Sequence, residues 1–154
     1  MPQLAISLLA FLTWAGSPPI NGTYVATAYA QTGITSSGQY THRHVVAADP
    51  DVLPLGSRIR IRGAGSYSGE YVVADTGARI EGHKLDIYMP SMKECRRFGV
   101  KRVKVDVVSV GDGTRRAARQ ADEAVKADVE NEIARGSIGA AATAIDWAQR
   151  NSRP

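Results

Sequence analysis

Cysteine is almost absent. Cys95 is the single one among 154 residues, so no intramolecular disulfide can form and packing alone must hold the fold. Aromatic residues are also scarce, at 6%. No recognition motif accompanies the basic residues Arg58, Arg60 and Arg62 or the cluster Lys93, Arg96, Arg97, Lys101, Arg102 and Lys104, so a solvated basic face is expected and nucleic acid is not expected as a partner. Neither sign of charge dominates: the formal net charge is +4. Residues 1–110 hold 12 Lys+Arg against 8 Asp+Glu, and residues 111–154 hold seven of each. That mild excess is compatible with an anionic polymer as partner and demands none. No apolar run reaches the roughly 20 residues that span a bilayer. Leu4 to Ala15, LAISLLAFLTWA, has instead the length of a signal-peptide h-region, and Gly16, Ser17 and Pro18-Pro19 follow it. No Lys or Arg precedes the run. Residues 1–19 are therefore expected to be a signal peptide or N-terminal apolar segment. The protein is expected to be exported to the periplasm, cell envelope or extracellular space, with no stable membrane span in its mature form. Nothing in the pattern bears on oligomeric state.

What is present is a series of short β-type runs. They are Tyr24–Tyr29, His44–Ala48, Arg58–Arg62, Glu70–Asp75, Lys84–Met89 and Arg102–Val108, each rich in Val, Ile, Thr or Tyr and mostly of period two. Arg58-Ile59-Arg60-Ile61-Arg62 is the cleanest, with isoleucines on one face and arginines on the other. Turn chemistry separates the runs at Asp49-Pro50, Pro54-Leu55-Gly56, Gly63-Ala64-Gly65 and Asp75-Thr76-Gly77. Ser91 and Glu94 form a capping-box pattern, and Gly99 suits a C′ position, so Ser91–Phe98 reads as a short helix. Its Met92, Cys95 and Phe98 share a core-facing spacing. Six strands in so few residues point to a small closed barrel or sandwich.

The composition changes at Gly111-Asp112-Gly113. Thr114 to Arg135 contains no Gly or Pro, and Ala121, Val125, Val129 and Ile133 recur every four residues as a narrow apolar stripe. Asp122 and Lys126 form an i,i+4 pair. Gly136 breaks the pattern, and Ser137 can cap a second helix. Residues 111–154 are thus expected to be an alanine-rich helical extension, a hairpin that packs weakly and carries no chemistry.

Three aspartates draw attention. Asp86 lies inside a strand pattern, where Asp is disfavoured, with Tyr88 on its face and Leu85 and Ile87 on the other. Partial burial would raise its pKa and suit it to general-acid work. An ion pair with Arg58, Arg60 or Arg62 explains it equally well. Asp75 and Asp49 each stand where a turn or strand end would use an aspartate for its own backbone bonds.

The resemblance lies in the order of several blocks. Ala26-Thr27-Ala28-Tyr29 precedes Thr35-Ser36-Ser37-Gly38, then Val45-Val46-Ala47-Ala48-Asp49-Pro50 and Leu53-Pro54-Leu55-Gly56-Ser57. Val73-Ala74-Asp75-Thr76-Gly77, Leu85-Asp86-Ile87-Tyr88 and Phe98-Gly99 follow. In this order, residues 24–108 resemble a three-aspartate (3D) domain, a module of bacterial cell-wall lytic enzymes. Ala78 stands where that pattern often has a second glycine. The resemblance implies a six-stranded double-psi β-barrel at residues 23–110, related to the barrel of membrane-bound lytic transglycosylase A and, more distantly, to rare lipoprotein A-like and expansin-like barrels. The whole is then a mainly β fold with one short inserted helix and a C-terminal α-helical hairpin. It further implies that Asp49, Asp75 and Asp86 cluster on one side of a groove. The activity implied is that of a lytic transglycosylase on peptidoglycan, cutting the β-1,4 bond between N-acetylmuramic acid and N-acetylglucosamine with a 1,6-anhydro product. Asp86, Asp75 and Asp49 are the expected catalytic residues. Thr27, Tyr29, Tyr88, Thr76 and Gly77 are the expected substrate contacts. No metal or cofactor is required. Two other readings stay open: a glycan-binding barrel that does not cut, and a metal-dependent hydrolase using His42 and His44, with His83 close to Asp86 in sequence.

Overall fold

A computed structural model describes residues 20–136 of the chain. The expected N-terminal apolar segment and the second helix of the tail lie outside the described residues. Six strands form a closed barrel: β1 (Gly22–Tyr29), β2 (Val45–Ala48), β3 (Arg58–Arg62), β4 (Gly69–Asp75), β5 (Lys84–Tyr88) and β6 (Lys101–Ser109). Around the barrel they run β1-β5-β2-β4-β3-β6. The β1/β5 and β2/β4 pairs are parallel and the other four are antiparallel. Parallel neighbours require crossovers, so residues far apart in sequence meet side by side.

Every expected strand is present, with ends that coincide with the expected ones or differ by one or two residues. His44 shows why β2 begins at Val45: its φ of 69° is left-handed, and no strand continues through it. In β3, Ile59 and Ile61 are wholly buried. Its arginines face out to acids: Arg58 to Glu70 at 2.7 Å and to Asp128, Arg60 to Glu70 at 2.5 Å, and Arg62 to Asp106 at 2.5 Å. None of them pairs with Asp86. The interior is filled by Tyr24, Val46, Val73, Leu85, Ile87 and their neighbours.

Helix α1 (Met92–Phe98) forms half of the expected capping box. The Glu94 amide donates to Ser91 Oγ at 3.2 Å, while the Glu94 carboxylate turns away and accepts from the Tyr67 hydroxyl at 3.0 Å. Cys95 and Phe98 are buried as expected, whereas Met92 is exposed, because the short helix has only one turn in reach of the core.

Helix α2 (Arg115–Ala134) is the larger surprise. Its Ala121 and Val125 pack with Val45, Val72 and Ala74 into a second apolar cluster outside the barrel, and Val129 flanks it. Burying one such valine stabilises by about 1.5–3 kcal/mol. Asp122, in the same turn, is fully buried. It takes Lys126 at 2.7 Å, His42 at 3.1 Å and the Gln39 amide at 2.9 Å. The helix is docked by a paired charge as well as by its stripe, and it is not the weakly packed element that its thin periodicity predicts. Among the described residues, no helix is long and apolar enough to cross a membrane.

The buried pair makes stability depend on acid. Burial works to raise the Asp122 pKa, but the contacts with His42 and Lys126 outweigh it and hold the carboxyl below its ordinary 3.8. The unfolded chain therefore takes up this proton first. The stabilisation is complete above that ordinary value and is lost as the pH falls through the folded one. In melting curves of wild type and Asp122→Asn between pH 5 and pH 3, the gap in Tm is expected to narrow as the pH falls below about 4. A gap independent of pH would refute the assignment.

Candidate functional site

Four residues stand in one row across four strands. The register sets Thr27 beside Asp86, Asp86 beside Ala47, and Ala47 beside Asp75. In β5, Leu85 and Ile87 fill the interior, so Asp86 points outward. In β2, Val46 and Ala48 fill it, so Ala47 points outward as well. Asp75 should not join them. Val73 faces the interior and Ala74 the outer cluster, so strict alternation would turn Asp75 inward. A bulge prevents this. Val46 pairs with Val73, but Ala47 pairs with Asp75, leaving Ala74 as an extra residue. One inserted residue exchanges the faces, and Asp75 arrives on the outer side beside Ala47.

The row opens into a cleft of about 320 Å³, lined by Asp75, Asp86 and Ala47, by Tyr29, Thr76, Gly77 and Ile80, and by loop residues including Gln31, Thr32, Ile34 and Thr41. Asp86 is half-buried. Burial pushes its pKa up, and the hydrogen bond donated by Thr27 Oγ1 to Oδ1, at 2.8 Å, pulls in the other direction without cancelling it. Asp75 is held differently: the Ser36 amide (2.9 Å), the Ser36 hydroxyl (2.7 Å) and the Thr76 amide (2.9 Å) all donate to its Oδ1. The Tyr29 hydroxyl is buried and has no hydrogen-bond partner among the described residues. Burial first, then the nearby Asp75 and Asp86 charges, raise its pKa, so it remains a proton donor. A buried polar group without a partner costs about 1–3 kcal/mol, a cost that a ligand oxygen reaching it through the cleft wall would remove.

The other expected residues are placed as follows. Asp49 does not line the cleft. Its Oδ2 accepts from the Gly82 amide at 2.6 Å and its Oδ1 from the Asp51 amide at 2.9 Å, bonds that lower its pKa, the Gly82 bond most. It pins the loop that carries Ile80. Tyr88 lies edge-on to Tyr29 at 5.6 Å and is 4% exposed, so it supports the Tyr29 ring and offers a sugar no free face. Gly77 is closely covered by Ile80, whose Cγ1 would lie 2.7 Å from an added Cβ. Of the histidines, His42 faces Asp122, His44 Nδ1 meets the Glu70 carbonyl oxygen at 2.9 Å, and His83 packs edge-on against Tyr24. Among the described residues, no group of three or more His, Cys, Asp or Glu is gathered to hold a metal. Ser36 and Ala47 were not singled out from the sequence for any role. The serine's signal was its place in the Thr35-Ser36-Ser37-Gly38 block. Ala47 had none.

Residues 44–110 match the family model of the 3D domain. The cell wall-binding protein YocH of Bacillus subtilis (strain 168) is 38% identical over 96 residues, covering 56% of this chain and 32% of the relative. The putative cell wall shaping protein YabE of the same organism is 34% identical over 90 residues, covering 56% of this chain and 21% of the relative. The chain thus spans a third or less of the length of these curated relatives. The lytic transglycosylase MltA of Escherichia coli overlaps 53% of this chain and 28% of its own, with a TM-score of 0.43 at 20% identity. An expansin of Clavibacter michiganensis overlaps 58% of this chain and 50% of its own, with a TM-score of 0.44 at 18% identity. Overlaps at this level carry no information about activity.

Proposed function

We propose that this chain, which carries a 3D domain at residues 44–110, binds a peptidoglycan glycan strand in the Asp75–Asp86 cleft. There it cleaves the β-1,4 bond between N-acetylmuramic acid and N-acetylglucosamine as a lytic transglycosylase. The observation that carries this reading is Asp86: a half-buried carboxyl with a raised pKa, oriented by Thr27, beside the unpartnered Tyr29 hydroxyl. The location that goes with it is the cell envelope or the outside of the cell, as the names of the relatives also favour.

In the proposed reaction Asp86, protonated, gives its proton to the glycosidic oxygen as the bond to the muramoyl C1 breaks. The positive charge that builds at C1 is stabilised by Asp75, which Ser36 and Thr76 hold in place. The 6-hydroxyl of the same sugar then attacks C1, and its proton passes to the Asp86 carboxylate. The product is a 1,6-anhydro ring, and the acid is regenerated. One carboxyl serves as acid and base, so the second carboxylate of ordinary glycosidases is not needed as a nucleophile. Thr76 and the Tyr29 hydroxyl contact sugar oxygens. Asp49 and Gly77 shape the Ile80 loop. The mechanism uses no metal or cofactor.

Digestion of purified peptidoglycan followed by mass spectrometry tests the proposal. Muropeptides with 1,6-anhydro ends are expected. Reducing ends formed by water would make the protein a hydrolase. Binding without cleavage would leave the second reading, a glycan-binding barrel, which the name of the cell wall-binding relative favours.

Tyr29→Phe separates site from scaffold. It removes a buried hydroxyl that has no partner, so the free protein should melt at the same temperature or slightly higher. Glycan affinity should fall roughly 2- to 12-fold, the worth of one hydrogen bond at about 0.5–1.5 kcal/mol. Calorimetric titration with soluble glycan fragments reads this directly, and unchanged affinity would remove Tyr29 from the site.

A further inference from the structure

We propose that Asp122, on α2, is a positioning residue for the cleft: through Gln39 it holds the Thr35–Gln39 turn, and with it the two Ser36 donors on Asp75. The proposal extends the site beyond residues 44–110, the stretch matched by the family model, to a helix that follows it.

The connection is a continuous chain of hydrogen bonds. The Gln39 side-chain amide donates to Asp122 Oδ2 at 2.9 Å. The backbone oxygen of Gln39 accepts from the Thr35 amide at 2.8 Å and from the Thr35 hydroxyl at 2.9 Å, closing the turn. Its Oε1 accepts from the Ser37 hydroxyl at 3.2 Å. The turn is also seated on β4. The Ser37 amide donates to the Ala74 carbonyl at 3.0 Å, at the bulge, and both Ser36 donors meet Asp75 Oδ1. The turn is therefore pinned at one end by the bulged strand and at the other by the helix.

Two physical arguments give the helix end weight. Between β1 and β2 the chain has no regular structure beyond the single Ile34–Tyr40 bridge, so this stretch depends on tethers for its order. A carboxylate at a fully buried helix position is also a costly way to dock a helix, since an apolar side chain there would need no partner. Asp122 meets three polar partners from two directions: His42 and Gln39 from the loop, and Lys126 from its own helix. Two of the three belong to the segment that carries Ser36.

The test uses the full chain and a polarity exchange. Gln39→Glu sets a carboxylate against Asp122. Amide hydrogen exchange at Ser36 is expected to accelerate about tenfold, and the Ser36 and Thr76 amide resonances should move, while β3 and β6 keep their shifts. Adding Asp122→Asn lets the amide at position 122 donate to the carboxylate at position 39, and exchange and resonances should return towards wild type. Gln39→Ala provides the same first readout should the charged variant fail to fold. Wild-type behaviour at Ser36 in the single variants, or a folded double variant without recovery, would overturn the proposal. Affinity for tetra-N-acetylchitotetraose, measured alongside, is expected to fall about fivefold and recover in step; only this arm rests on the glycan reading. Resonances that move and recover while affinity stays constant would uphold the positioning role and count against the glycan site.

Discussion

Asp86→Asn should lose glycan cleavage by about 10²- to 10⁴-fold, the usual contribution of a positioned acid–base group, and should melt higher than the wild type at neutral pH. The two effects share one cause. Burial of Asp86 disfavours its charge, so its folded pKa lies above its unfolded one. Such a group contributes most at low pH, and its contribution is lost as the pH rises through the folded value. Once the pH exceeds the folded value, the wild type holds a desolvated charge in the cleft, and the amide does not. The amide oxygen can still accept from Thr27 Oγ1, so the local hydrogen bond survives. Melting both proteins at pH 4 and pH 7 therefore expects a gain in Tm for the variant that is larger at pH 7. A loss of stability at both pH values, or undiminished cleavage, would show that Asp86 is a structural carboxylate and that the acid lies elsewhere.

Gly56→Ala is expected to be strongly damaging, for reasons of both backbone and packing. Gly56 has a φ of 87°, in the left-handed region, where a residue with a Cβ costs about 1–2 kcal/mol. An added Cβ would also lie 2.7 Å from the carbonyl carbon and Cβ of Ala117 and 2.9 Å from the Ala118 amide, in the first turn of α2. Helix backbone cannot yield as a flexible side chain can, and overpacking of this kind typically costs about 1–3 kcal/mol. Together these come to roughly 2–5 kcal/mol, against a total of about 5–15 kcal/mol for a domain. Gly65→Ala is the control. Its φ is 68°, but nothing lies within 4 Å of an added Cβ, so only the backbone cost of about 1–2 kcal/mol applies. Urea denaturation of the two variants measures the difference. Equal losses would mean that α2 does not press on the Leu55–Ser57 turn. A larger loss at Gly56 should also speed Ser36 exchange, because the same helix carries Asp122.

The local elements were legible in the sequence because their causes are local. Alternating β-branched residues mark strands within a few positions, as Ile59 and Ile61 do in β3. Ser91 caps α1 through an amide three residues away, and Gly99 ends it with a φ of 64°. The prominence of Asp86 was also legible, since a carboxyl between Leu85 and Ile87 breaks the strand pattern. Four features were not legible, and each depends on residues distant in the chain. Asp75 reaches the outer face because Ala74 is bulged against β2, a matter of register between strands far apart in sequence. Asp49 shares its turn chemistry with Asp75, but its neighbours draw it to the Gly82 amide and not to the cleft. The arginines of β3 could have met Asp86, until strand order placed them against Glu70, Asp106 and Asp128. Helix α2 reads as weakly packed because apolar periodicity counts only apolar residues, and Asp122 became an anchor once folding carried His42 and Gln39 to it. Periodicity and capping follow from steric and hydrogen-bonding rules within a turn or a strand, and the sequence by itself determined those. Which side chains share a face is decided by pairings between distant segments, and only the tertiary structure settled which acids stand in the cleft and what holds them there.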